Sequence, residues 1–302
     1  MSPYTRGNGA WARPGPGRGA GNRAQSPGNS WGDAMRLWYQ SLTRPDAWPT
    51  YAKALRRVLD AGADPGTEIA IHGIEKRGGI GDQYRYLEFI ETAEVLENVA
   101  RAEAEGFDAV LLGNIVDPGL RIAREIAGIP VLGLCESALL TACQMGASIG
   151  IVFSNDKHEA RVAENIRGYG LAGRVAATAR MEVAKLTDLE AAFSPGPVRD
   201  SVLAQFHKAA EDCVARGAEV VIPAVGVAMV LLFEAGVHET ARGAPVLCGP
   251  LALVQQGQAA VKLKRAMGGR FTSRRGAYGQ PPTAQIAELR RYYGGVYPGV
   301  AG

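Results

Sequence analysis

The sequence predicts an α/β fold built from two pseudo-symmetric, doubly wound parallel-sheet (Rossmann-like) halves with a cleft between them. Three observations carry the prediction. Short continuous apolar runs, such as DAVLLGN (108–114) and PVLGLCE (130–136), alternate with helical stretches, the signature of strands covered on both faces. The passage AEGFDAVLLGN (104–114) returns as ARGAEVVIPAV (215–225). Further on, IAGIPVLGLCESALL (126–140) returns as ARGAPVLCGPLALV (241–254). Two matches in the same order at nearly the same offset imply two copies of one βαβ unit.

Taken in order, residues 1–34 are rich in Gly, Pro, Arg and Asn and lack apolar periodicity, so a disordered basic tail is expected. Its PGPGRGAG string is not a phosphate loop, because no strand precedes it and no helix follows. The first half is expected over 35–147, with strands at 35–40, 68–74, 108–114 and 130–136 and helices at 46–61, 88–104 and 118–127. The second half is expected over 148–268, with strands at 148–154, 178–183, 219–225 and 245–248 and a sheet-covering helix at 199–216. Residues 269–302 form a C-terminal extension.

Composition excludes several classes. The chain has 302 residues and a net charge of +3, but the excess sits in the N-terminal tail and the body is neutral. A basic tail on a neutral body argues against a specific nucleic-acid groove. No run of eighteen apolar residues and no secretory pattern occurs, so neither membrane insertion nor secretion is expected. Four cysteines without a CxxC pair suggest neither a disulfide framework nor a zinc site, and a cytoplasmic location follows as the default.

In open parallel sheets, ligands bind beyond the carboxyl ends of the strands. That rule selects Gln40 to Thr43, His72, Asn114 to Asp117, Cys135 and Glu136, Ser154 and Asn155, Val225 to Ala228, and Cys248 to Pro250. At these positions the sequence resembles the aspartate/glutamate/hydantoin racemase superfamily, and most its hydantoin/allantoin branch. The likeness is carried by EGFDAVLLGNIVDPGLRIAREIAGIPVLGLCESALL (105–140), and more loosely by GAEVVIPAVGVAM (217–229) and APVLCGP (244–250). It spans roughly residues 35–265.

The resemblance implies cofactor- and metal-independent chemistry at a carbon next to a carbonyl, with one cysteine from each half serving as acid and base. The positions of those cysteines match Asn114 and Val225 here, and neither residue is a base near neutral pH. Cys135 and Cys248, which follow Pro-Val-Leu in the two halves, are either a displaced catalytic pair or small buried hydrophobes. Glu136 is either a polarising acid or a helix N-terminal charge, and His72 is either a substitute base or a structural imidazole. Asn114, Gln40, Ser41, Thr43, Val225, Gly226 and Val227 are expected to hold substrate, with Tyr84 in a glycine-rich lid at 76–86. Asp117-Pro118-Gly119 reads as the cap and first turn of the following helix.

The apolar residues beside Asn114 and Val225 indicate a fairly apolar substrate, such as a carboxylate, imide or cyclic amide. The expected protein is a homo-oligomeric isomerase or lyase that works without two-cysteine racemisation. The alternative is a non-catalytic small-molecule-binding or regulatory protein on the same scaffold.

Overall fold

Among the described residues, seven parallel strands fall into two sheets whose inner strands are buried except at Arg36. The structure, a computed structural model, describes residues 34–44, 46–80, 84–183 and 186–297. The tail expected at the N-terminus lies outside the described residues as far as Asp33, as do residues 81–83 of the expected lid. The first sheet contains β1 (Met35–Gln40), β2 (Thr67–His72), β3 (Ala109–Leu112) and β4 (Val131–Gly133) in the order β2-β1-β3-β4. The second contains β5 (Ile149–Phe153), β6 (Val175–Arg180) and β7 (Val220–Pro223) in the order β6-β5-β7.

The period of two along the strands explains how the first sheet is covered on both sides. Leu37 and Tyr39 of β1 and Leu111 of β3 join a core shared with the second half. Trp38 of β1 and Val110 and Leu112 of β3 point into a separate core. That second core is closed by Val95 and Val99 of α2 (Arg85–Ala104) and Ala123 of α3 (Leu120–Ile126). The shared core takes α1 (Pro49–Gly62), α4 (Leu134–Met145), α5 (Asp156–Gly168), α6 (Pro197–Ala215), α7 (Gly226–Glu234) and α8 (Gly249–Ala266). A further helix, α9 (Thr283–Tyr293), buries little beyond Ile286. No helix among the described residues is long and apolar enough to cross a membrane.

Three expected elements change. The strand read at 130–136 stops at Gly133, and Leu134, Cys135 and Glu136 open α4 instead. The cause is Asp117, whose carboxylate accepts the Cys135 and Glu136 N–H groups at 2.9 and 3.0 Å. Asp117 therefore caps α4 and not α3, whose own N-cap is Gly119 at φ +66°. The strand read at 245–248 shrinks to two isolated bridges, Val221 to Val246 (parallel) and Glu239 to Pro245 (antiparallel), because neither Pro245 nor Pro223 of β7 has an N–H to extend the parallel pairing. Finally, β6 begins at Val175, earlier than read, because a 3-10 turn at Ala172–Arg174 delivers the chain into register with Ile149 there.

Candidate functional site

Both strand orders have a switch point, and the cleft lies at both. In the first sheet, β1 and β3 leave towards opposite faces and their carboxyl ends present Ser41, Thr43, Gly113 and Asn114. In the second, β5 and β7 present His158 and Val225 to Val227. Together with Trp48 at the start of α1, Tyr51 of α1, Glu88 of α2 and Arg161 of α5, these line one opening.

The halves are tied across this cleft by side chains. The Arg161 guanidinium grips the Glu88 carboxylate at 2.6 to 3.2 Å and also donates to the Val116 carbonyl at 3.0 Å. Burial works against the Arg161 charge, but Glu88 outweighs it and leaves the pKa above its ordinary value. On the other side, Glu190 accepts the Thr50 and Tyr51 N–H groups at 2.6 and 3.1 Å. It supplies from the second half the cap that Trp48, the N-cap residue of α1, does not give with its own side chain.

His158 is the one imidazole among the described residues of the lining. Asn155 caps the first turn of α5 by accepting the His158 N–H at 3.0 Å, which fixes the residue at the helix start. Its Nδ1 lies 3.2 Å from Ser154 Oγ, and burial followed by the Arg161 charge pushes its pKa down to about 4. At neutral pH it is thus an uncharged imidazole. In the tautomer that donates Nδ1–H to Ser154, Nε2 carries a free lone pair.

The sequence-selected residues divide sharply. Ser41, Thr43, Asn114, Val225, Gly226 and Val227 are brought together in the lining. Ser41 and Thr43 hydroxyls are 2.7 Å apart, and Asn114 Oδ1 accepts the Val116 N–H at 2.9 Å, so Asn114 offers a ligand its Nδ2 donor. Val225 opens directly into α7 and contributes methyl groups.

The others lie outside this lining. Gln40 is fully buried and spends its amide on Trp38, Ser41 and Gly73. His72 stacks on Trp38 at 3.4 Å, with Arg101 on its Nδ1, and burial lowers its pKa. Glu136 forms an ion pair with Arg124, 3.1 Å at its longer contact. Cys135 is enclosed among Ile115, Ile151, Val162 and Ile222, and burial pushes its thiol well up. Cys248 lies in a separate groove beside His238 and Leu251, its thiol pushed up to about 11 by burial. Neither sulfur is a thiolate near neutral pH. Tyr84 is exposed, with the Lys157 ammonium 4.8 Å from its ring centroid. In the segment expected to form a lid, Glu91 accepts the Gly79 N–H, and at its start Glu94 accepts those of Glu75 and Lys76.

Sequence reasoning passed over His158, Arg161, Glu88, Trp48 and Tyr51. Ser154 and Asn155 had marked the right strand end, but the imidazole comes one helical turn later. The Trp48 and Tyr51 pair, three residues apart in a helix, reads from sequence as ordinary core.

This arrangement defines a class: two-lobed α/β proteins with a cleft at paired switch points. Comparison with known proteins places the chain within it. The family model for Asp/Glu/hydantoin racemase matches residues 45–257, and the chain belongs to that family. It is 26% identical over 134 residues to the hydantoin racemase of Pseudomonas sp. (strain NS671), covering 44% of this chain and 53% of that one. It is 29% identical over 76 residues to the hydantoin racemase of Rhizobium meliloti, covering 25% of this chain and 32% of that one. The match thus spans about half or less of these curated relatives. Among solved structures, the allantoin racemase from Klebsiella pneumoniae superposes with TM-score 0.65 at 22% identity, over 82% of this chain and 94% of that one. The allantoin racemase from Pseudomonas fluorescens gives TM-score 0.66 at 21% identity, over 82% and 97%. The fold is shared with these structures.

Proposed function

We propose that the chain is a cofactor-independent isomerase or lyase acting at a carbon next to a carbonyl of a fairly apolar carboxylate, imide or cyclic amide. The observation that supports it is the cleft at Asn114 and Val225, which offers one neutral imidazole, His158, and no cysteine among its described lining residues. His158 Nε2 takes the proton, and the oxygen that gains charge is met by the Asn114 amide and the first-turn amides of α7. With a pKa of about 4 the imidazole is a weak base, so proton removal leans on the hydrogen bonds that stabilise charge on the carbonyl oxygen. A single acid/base group suits isomerisation, elimination or decarboxylation better than inversion between two thiols.

Deuterium incorporation from heavy water at the acidic carbon of 5-benzylhydantoin and of 2-arylpropionates tests this. Catalysed exchange that falls about 100-fold or more in His158→Gln and survives Cys135→Ala and Cys248→Ala is expected. Absence of exchange with either compound class sinks the enzymatic reading and favours a second one. On that reading the protein binds without turnover, which the weak basicity of His158 also suits.

A further inference from the structure

One helix of the first half is apolar on two sides. Towards the core, α2 buries Val95, Val99 and Ala102. On its outward side Tyr86, Phe89, Ile90 and Ala93 recur at helical spacing, which sets them in one stripe along the axis. The stripe is uncovered: Tyr86 is 73% exposed, Phe89 is 75% exposed, and Ala93 is exposed as well. Apolar side chains standing singly on a surface are ordinary, but two aromatic rings in one stripe mark a contact face.

The charges around the stripe say what it fits. All four acids of this stretch are committed to their own chain. Glu88 is held by Arg161, Glu91 accepts the Gly79 N–H at 2.6 Å, and Glu94 accepts those of Glu75 and Lys76. Glu97, one turn beyond Ala93, is paired with Lys76, and Arg85 is paired with Glu164, 2.8 Å at the longer contact. The stripe therefore offers no uncompensated charge to attract a nucleic acid or a charged peptide. It also presents no like charge that would repel a second copy of itself.

Its spacing is its own complement. Let two copies of α2 lie antiparallel about a twofold axis passing between positions 89 and 90. Phe89 then meets the partner's Ile90, and Tyr86 meets the partner's Ala93. Large side chains fall beside small ones at both ends, as close helix packing requires. Four aromatic side chains of about 200 Å² each, three-quarters of it now exposed, contribute about 600 Å² to such a contact. That is below the roughly 1,200 Å² of stable complexes, so a weak pair with a dissociation constant of about 10 to 100 µM is expected.

We propose that the outward stripe of α2 is a homodimer surface, covered by the same stripe of a second copy in an antiparallel, twofold pairing. The pairing does not depend on the chemistry of the cleft.

Sedimentation velocity on the full chain from about 1 to 200 µM tests this. The unaltered chain is expected to pass from monomer to dimer across that range. Phe89→Lys and Ile90→Glu, each alone, are expected to weaken dimerisation at least about tenfold, with unchanged thermal melts at monomeric concentration. Mixed in equal amounts, the two variants are expected to pair again, because the introduced ammonium and carboxylate face each other only in this register. Should either variant fail to fold, Tyr86→Lys and Ala93→Glu, the outer pair of the stripe, take their place. A chain that stays monomeric throughout overturns the proposal, as do dimers that persist in both variants and a mixture that does not pair. Open-ended growth also overturns it, since a twofold pairing closes on itself. So does a monomer that floats with phosphatidylcholine vesicles and ceases to in Phe89→Lys, which would make the stripe a lipid-facing surface.

Discussion

The turn after β3 and the turn after β7 occupy equivalent places in the two halves and close in opposite ways. After β3 the chain runs through Asn114 and a left-handed Asp117 (φ 47°) before α3 begins at Leu120. The buried Asp117 carboxylate accepts two amides of α4 and the Tyr169 hydroxyl at 2.6 Å. After β7 the chain passes through Ala224 and Val225 straight into α7, with no side-chain cap. The position in the second half that corresponds to Asp117 is Ala228, a buried residue within α7. One copy has kept a polar, strained turn that shapes the cleft, and the other has become an apolar wall.

The same contrast accounts for Cys248. Its counterpart in the first half is Gly133, where an added Cβ would lie 2.5 Å from Asp117 Cγ. With no carboxylate at the equivalent place in the second half, a side chain is tolerated there. Cys248 thus marks a lost constraint, and its raised pKa fits a sulfur held for packing.

Four measurements would break or sharpen this contrast. Asp117→Ala strands two buried amides and a tyrosine hydroxyl, so urea unfolding should report a loss of about 4 kcal/mol. Val225→Ala, on the apolar side, should cost about 2 kcal/mol. Equal losses would show that the two turns bear the structure alike.

The next effect is on pH dependence. His158 has a folded pKa of about 4 against 6.5 in the unfolded chain, so the unfolded state binds more protons between those values. Its contribution to stability is whole above about pH 6.5 and falls as pH drops, by about 3 kcal/mol near pH 4. Urea midpoints followed from pH 7 to 4.5 should fall less steeply for His158→Gln than for the unaltered chain. Parallel curves would place the imidazole in a more polar setting than the cleft wall described here.

Gly133→Ala should cost about 2 kcal/mol, because the neighbouring carboxylate must move. Thermal melts of Gly133→Ala made alone and together with Asp117→Ala should show a non-additive pair. The smallest effect is expected for Cys248→Ala, under about 1 kcal/mol by the same melts. A large loss there would return Cys248 to the list of residues the fold depends on.

Much of this was legible in the sequence. The alternation of apolar runs gave the strand order its parts, and the repeat aligned Asn114 with Val225. Strand-end logic then led to Ser41, Thr43, Asn114, Val225, Gly226 and Val227, all in one lining. Glu136, Cys135 and His72 also sit at or just past strand ends, yet Arg124, an apolar pocket and the Trp38 ring occupy them. Position along the chain says which end of a sheet a residue reaches, but not which face its side chain takes.

Local sequence therefore determined the doubly wound halves, because period-two burial and βαβ spacing are properties of neighbours in the chain. Only the tertiary structure decided what furnishes the cleft. His158 and Arg161 come from one half, and Glu88, Trp48 and Tyr51 from the other. Whether a buried imidazole stays neutral or an indole N–H goes unpaired depends on partners far away in sequence, and no local pattern records them.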